Sequence, residues 1–292
     1  MLIIAGVLIV LIGTVVSFLM GGGEWNFGRL VLLLYPAELI AIFGITLGAV
    51  VIATPGHVLK GTFSKIIAAV SGNVIKREHY FELIGALYEL FQTGRKNGLL
   101  SLEEHLSAPA QSSIFKKYPT LLNVPERLSF VVDSLKPLVD GRIKPDQLDG
   151  VIQVDIETKK QELEHEAHVL NFAGDSLPGI GIVAAVMGII NTMQIIDQGT
   201  QAVASHMAAA LSGTMLGVFS AYGFANPLAS SIRSLNEGYV EYFKCTKIAV
   251  VAFAKGMAPL TAAELARRSL GHAVQPSSEA LEAALRGASA TK

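Results

Sequence analysis

The sequence predicts an all-α integral membrane protein: four transmembrane helices, with a helical cytoplasmic insert between spans two and three. Three observations carry this. Of 292 residues, 51% are hydrophobic and 16% charged, with a mean hydropathy of +0.48; soluble domains average about 25% charged residues. Two long uncharged stretches lie close together late in the chain, Ser176–Ile196 between Asp175 and Asp197, and Met207–Ile232 between His206 and Arg233. Two more apolar segments open the chain. A spanning helix needs about 20 mostly apolar residues, and each of the four is long enough.

Span one covers residues 1–20, which hold no charged side chain. A secretory signal would carry a basic start and a small-residue cleavage site. Neither is evident, so the segment is expected to be a retained span. Span two covers 31–53, interrupted by Pro36 and Glu38. Spans three and four are expected at 176–196 and 207–230. The implied divisions are 1–56 for spans one and two, 57–173 for a cytoplasmic helical domain, 174–232 for spans three and four, and 233–292 for a C-terminal helix and flexible tail. Arg29 is the one Lys or Arg in the 21–30 loop, and the 197–206 loop has none; the remaining 22 of the 23 fall in 54–175 or after span four. Positive charge favours the cytoplasmic side. Both of those regions, and both termini, are therefore expected to be cytoplasmic.

Within the insert, Phe81, Ile84, Tyr88 and Phe91 recur at helical spacing and predict one apolar face. That helix should stop at Asn97-Gly98, with glycine as a left-handed cap. Ser101 and Glu104 have the spacing of a capping box for the next helix. Arg95, Lys96 and Glu103 would then surround an exposed helix–turn–helix tip. Pro119 and Pro125 mark loops, and Pro137 should kink or shorten a helix over 126–139. A long polar helix is expected over 146–171, packing through Leu148, Val151, Ile152 and Ile156. The Gly174–Pro178 stretch should break it at the membrane edge. A helix over 237–257 should follow span four, and the Ala/Ser/Gly-rich chain from Gly271 should be frayed.

Several function classes find no support. Net charge is −1, which gives no nucleic-acid signal. A single cysteine, Cys245, excludes an internal disulfide framework. His165 and His168 are three apart, but the metalloprotease pattern is absent and a solvated charged helix accounts for them. No phosphate-binding loop, nucleophile elbow or dinucleotide fingerprint is present, so neither an enzyme nor a cofactor is indicated. Acidic residues inside a bilayer are expensive and usually functional. Here Glu38 alone lies within a span, and a headgroup-level position would explain it. A carboxylate that carries protons would have to come from a partner. Pro178 and Thr214 could hydrate an ion path or receive a partner's side chain; taken alone, proline at a helix start and threonine bonding back to its own helix are the commoner explanations. Gly44-x-x-x-Gly48 and Gly213-x-x-x-Gly217 point to close helix packing. Arg95, Lys96 and Glu103, taken alone, are ordinary surface charges.

A set of motifs adds a resemblance. Gly174-Asp175-Ser176-Leu177-Pro178 is followed by Gly181-Ile182-Val183-Ala184-Ala185-Val186-Met187-Gly188. Gly213-Thr214 precedes Leu216-Gly217, and Ala221-Tyr222-Gly223-Phe224 leads to Pro227-Leu228-Ala229; Pro36-Ala37-Glu38 fits near the start. Together, from Met1 to about Arg268, the chain resembles the MotA/TolQ/ExbB proton-channel family, and within it the flagellar motor stator subunits. The resemblance implies an inner-membrane location and a homo-oligomer, five copies around two single-span MotB subunits that supply the ion-binding aspartate. It implies that Pro178 lies beside that aspartate, that Thr214 and Ala185 line the path, and that Pro227 is a second family proline. Sodium-driven, PomA-like relatives tend to carry threonine at the Ala185 position, so alanine there favours protons as the transported ion. Arg95 and Glu103, with Lys96 beside them, map onto charges that face the rotor protein FliG. A TolQ/ExbB-type energiser is the alternative within the family; those relatives generally have three spans and an outside N-terminus. A membrane scaffold without transport is the alternative outside it.

Overall fold

The computed structural model describes residues 2–20, 35–72 and 74–290. In chain order the helices are α1 Leu2–Met20, α2 Pro36–Ala53, α3 Gly56–Ser71, α4 Arg77–Asn97, α5 Glu103–Ser107, α6 Pro119–Leu122, α7 Pro125–Val139, α8 Pro145–Met193, α9 Thr200–Ser220, α10 Asn226–Ala254, α11 Pro259–Arg268 and α12 Ser278–Ala290. A short π-helical segment, Ala221–Ala225, joins α9 to α10. No strand occurs among the described residues. Among the described residues, four helical stretches are long and apolar enough to cross a membrane: α1, α2, α8, and the run from Thr200 to Ala254. The expected start of span two at residue 31, and the loop carrying Arg29, lie outside the described residues.

Two compact units form. One contains residues 1–74 and 162–235, the other 75–161 and 236–292. The sequence-based divisions at 56, 173 and 232 follow membrane exposure instead. The difference arises because α3 packs on the middle of α8, where the Thr62 hydroxyl donates to Glu166 O at 3.2 Å and Gly61 lies against the Glu166 side chain.

In the first unit, proline and glycine set the helix ends. Pro36 opens α2 at its first turn, where a missing N–H costs nothing. Thr54, held extended ahead of Pro55, closes it. Gly72, at φ 72° and ψ 28°, caps α3 in the left-handed region. Large apolar side chains such as Ile9, Ile40, Ile52 and Ile190 are exposed on the isolated chain, the arrangement that lipid and neighbouring helices require. The Gly174–Pro178 stretch does not break α8, contrary to expectation; the helix runs from Pro145 through to Met193 with Pro178 inside it. Proline is tolerated within a packed membrane helix because neighbouring groups compensate the lost bond. The helix that carries span four is longer than the span itself, running from Thr200 to Ala254 through the π-helical segment.

The second unit is built around α4. Its apolar surface is wider than the single face anticipated: Tyr80, Leu83, Ile84, Leu87, Leu90 and Phe91 are all buried. Phe91 stacks on Phe253 at 4.3 Å, and Phe130 meets Phe243 at 4.4 Å. Arg127, only 2% exposed, lies over the rings of Tyr239 and Tyr242 at 5.5 and 5.3 Å. The aromatic faces offset part of the cost of burying its charge. Leu148, Ile152 and Ile156 pack as expected, but Val151 faces outward at 40% exposure. Pro137 neither breaks nor shortens α7, contrary to expectation: the helix runs from Pro125 to Val139 with the proline inside its last turn. The helix ends two residues later, and Arg142 N–H donates to Pro137 O at 3.0 Å. The C-terminal region is not wholly frayed. Leu281 and Leu285 are one helical turn apart on α12 and each only 2% exposed against the same core.

Glu264 on α11 accepts from Arg267 Nε at 2.7 Å and Arg268 Nε at 2.7 Å. These guanidinium groups hold its carboxyl at about 2, below the ordinary 4.5. The contribution is present in full above the ordinary value and is lost as pH falls toward the lowered one. Glu264→Gln should therefore lower the thermal stability of the detergent-solubilised protein at neutral pH by about 1 kcal/mol. The difference from the unsubstituted protein should vanish in strong acid.

Candidate functional site

The site begins with glycine spacing. Gly174, Gly181 and Gly188 recur every seven residues on α8, which keeps them on one face. That face meets α9 with almost no space for side chains. A Cβ added at Gly181 would lie 3.0 Å from Gly213 O and 3.1 Å from Gly217 Cα. One added at Gly217 would lie 2.6 Å from Leu177 O and 2.8 Å from Gly181 Cα. One at Gly188 would meet Ala210 Cβ at 2.6 Å. Two backbones in direct contact gain dispersion and weak Cα–H···O interactions that any larger residue would remove. Gly44 and Gly48 have no such role within the chain, since a Cβ at either meets nothing within 4 Å.

Pro178 and Ala185 are placed by this seam. They flank Gly181 three residues before and four after, and so share its side of α8. Pro178 is half-buried and Ala185 only 6% exposed. Thr214 sits across the same contact, its Cα 3.4 Å from a Cβ built at Gly181. The hydroxyls of Thr14, Thr46 and Thr192 bond back to the carbonyl four residues earlier, at 2.9, 2.7 and 2.8 Å. That of Thr214 makes no hydrogen bond among the described residues, so back-bonding does not account for it. Pro227 stands apart from this group. It is exposed at the second position of α10, just beyond the π-helical segment.

Glu38 packs against glycines of the seam. Its side chain is 6% exposed, in the first turn of α2, wedged between two glycines of the seam. A Cβ at Gly188 would come within 2.8 Å of Oε1, and one at Gly213 within 2.9 Å of Oε2. The carboxylate thus takes up the space that these glycines leave.

The second cluster is the tip beyond α4. Arg95, Lys96 and Glu103 are all exposed, on the two arms of a hairpin that Leu102 closes against Gly94. The local geometry differs in two respects. Gly98 is at φ 88° and ψ 158°, a glycine-only extended conformation instead of the left-handed cap. Ser101 is no N-cap: its hydroxyl donates to Gly98 O at 2.7 Å, and Leu99–Leu102 form a 3₁₀ turn that feeds α5. The Gly98 carbonyl also accepts from Ser101 N–H at 3.1 Å, so it takes both donors of that residue. Leu102 plugs the hairpin against Gly94, beside Phe253. Arg95 Nη1 donates to Gly256 O at 3.0 Å, which adds the exposed Lys255 turn to the tip.

Sequence reasoning did not find the seven-residue glycine repeat, the π-helical segment, Asn226 or the Lys255 turn. The repeat was legible in principle, since 174, 181 and 188 are evenly spaced. The others depend on tertiary packing and carry no local signal.

The arrangement is a polar-spotted, glycine-packed helix pair with a proline in one member and no open carboxylate of its own. A model of the N-terminal region of motility protein A matches residues 4–98, and a model of the MotA/TolQ/ExbB proton channel family matches residues 125–244. The chain belongs to the MotA/TolQ/ExbB proton channel family. Within it, the relatives are motility proteins. Motility protein A of Salmonella typhimurium is 36% identical, covering 97% of this chain and 94% of the relative. That of Escherichia coli is 34% identical over the same shares. Chemotaxis protein LafT of Vibrio parahaemolyticus is 34% identical, covering 92% of this chain and 94% of its own. The fold matches that of the flagellar MotAB stator complex of Bacillus subtilis with a TM-score of 0.72 at 22% identity, over 93% of this chain and 96% of that one.

Gly217→Leu should separate α8 from α9, at a cost on the order of 1–3 kcal/mol or more. Thermal denaturation of the purified variant in detergent checks this; a melting temperature equal to that of the parent would contradict the seam.

Proposed function

We infer that this chain is the multi-pass stator subunit of a bacterial flagellar motor, forming with a MotB-type partner an ion channel that converts ion flow into torque. Family membership with motility protein A over nearly the whole chain supports this. The single observation that carries the mechanism is the cluster at Gly181: Pro178, Ala185 and the unbonded Thr214 hydroxyl grouped where two backbones touch. Pro178 cannot donate to the carbonyl of Gly174, so its turn of α8 lacks one helical bond and is the soft point of an otherwise continuous helix. The one in-span carboxylate, Glu38, is packed away between glycines, so the ion-binding acid is assigned to the partner. The family pattern supplies it as a membrane aspartate of MotB, with five copies of this chain around two of MotB.

The transported ion in this reading is the proton, and no resident cofactor is needed. A dehydrated sodium ion needs several oxygens around it, and Ala185 offers none where a threonine would. One charge crossing about 100 mV releases about 2.3 kcal/mol. That suffices to bias two conformations a few kcal/mol apart. Neutralising the partner's acid beside Pro178 would then shift the balance between two arrangements of α8, which contributes residues to both units of the chain. The readout is the tip, where Arg95, Lys96 and Glu103 would meet oppositely charged side chains of the rotor protein FliG. Both termini and the second unit lie in the cytoplasm on this reading.

Swimming speed should follow external pH and ignore external sodium; speed that tracks sodium at fixed pH would make this a sodium-driven, PomA-like stator. Arg95→Glu and Glu103→Lys should each reduce torque on tethered cells without lowering the amount of protein in the membrane. Normal rotation with both reversals combined would remove the tip from the rotor contact.

A further inference from the structure

The glycine repeat of α8 and the seam of α9 run in step for two contacts, Gly188 on Ala210 and Gly181 on Gly217. Both partners advance by seven residues. One further step from Gly217 would bring residue 224 to Gly174 if the helix were an uninterrupted α-helix. The π-helical segment Ala221–Ala225 adds one residue to that turn, and Asn226 N–H donates to Ala221 O in the π pattern. The residues that reach Gly174 are accordingly Ala225 and Asn226.

The contact has unusual chemistry. The Asn226 carboxamide occupies the place that any side chain at 174 would need. Its Oδ1 is buried and has no hydrogen-bond donor. An acceptor left in that state costs about 1–3 kcal/mol. Gly174, against which it packs, is the residue whose carbonyl would take its α-helical donor from residue 178, a proline. The softest turn of α8 thus faces a wedge from the start of α10. One heptad away, at Gly181 and Gly217, the backbones touch and leave no room for bending.

We propose that Asn226 is a positioning residue for the ion-coupled movement: placed by the π turn, it props α8 and α10 apart beside Pro178, and so leaves that turn free to bend. The proposal rests on the stator reading. Removing the wedge lets the helices close, as they do at Gly217, and holds the Pro178 turn in one arrangement.

The test replaces the chromosomal gene with Asn226→Ala, Gly174→Ala and the double variant. It measures swimming speed across a range of external pH, together with membrane protein levels. Asn226→Ala should lower speed about two-fold or more at unchanged levels, the smaller end of couplings between touching residues. It should also move the pH of half-maximal speed. Gly174→Ala should be slower still, because its methyl collides with the carboxamide. The double variant should recover most of the Gly174→Ala loss. Wild-type speed for Asn226→Ala, no recovery in the double variant, or a loss that is uniform across pH would each overturn the proposal. If Gly174→Ala fails to accumulate, Asn226→Gln takes its place and should shift the profile without recovering speed. A double-mutant cycle on melting temperatures of the purified protein reads the same contact without motility. It would show coupling even if the unsubstituted chain did not power swimming, an outcome that would sink the stator reading and leave the wedge standing.

Discussion

The rest of the membrane unit depends on direct backbone contact between α8 and α9. In lipid, helices gain nothing from burying apolar side chains against each other, since the surroundings are equally apolar. Association must come from close packing and from polar groups that find partners. The Gly181–Gly217 contact supplies the first. It also dictates what stands around it: Ala184, Ala185 and Ala210 are small because the helices are already touching. Glu38 fits only because Gly188 and Gly213 leave a slot for its carboxylate. Pro178 and Thr214 can lie at the edge of so tight a seam because neither needs to enter it.

This seam explains how a proline persists in the middle of a 49-residue helix. Isolated in water, that turn would kink or unwind. Here the neighbours on either side of it are fixed, one by backbone contact at Gly181 and the other by the carboxamide at Gly174. The missing helical bond is confined to that single turn.

Much of this was legible in the sequence, for reasons that can be named. The four spans follow from uncharged length, which the bilayer enforces regardless of tertiary detail. The tip residues Arg95, Lys96 and Glu103 followed from Asn97-Gly98, a strong local stop. What failed were inferences that assumed local preference decides. Pro178 was expected to end a helix that packing sustains. Ser101 was expected to cap a helix, but the neighbouring Gly98 carbonyl drew its hydroxyl. The slot that holds Glu38 could not be read locally, because it is formed by Gly188 and Gly213, far along the chain. The tail from Gly271 read as frayed from composition alone, yet two leucines one turn apart suffice to dock α12. The π segment has no sequence signature, because one added residue per turn leaves hydrophobic periodicity nearly unchanged.

The Arg95–Gly256 bond has a consequence for protein engineering. The charged tip looks like a self-contained loop of about ten residues, yet one of its side chains is tethered to a turn some 160 positions downstream. That turn relies on Gly256 at φ 84°, a conformation few other residues adopt. A chimaera that grafts only the 94–104 hairpin onto another scaffold would carry the charges but lose the tether that orients the first of them. Moving the tip with its geometry intact calls for transferring both segments as one cassette.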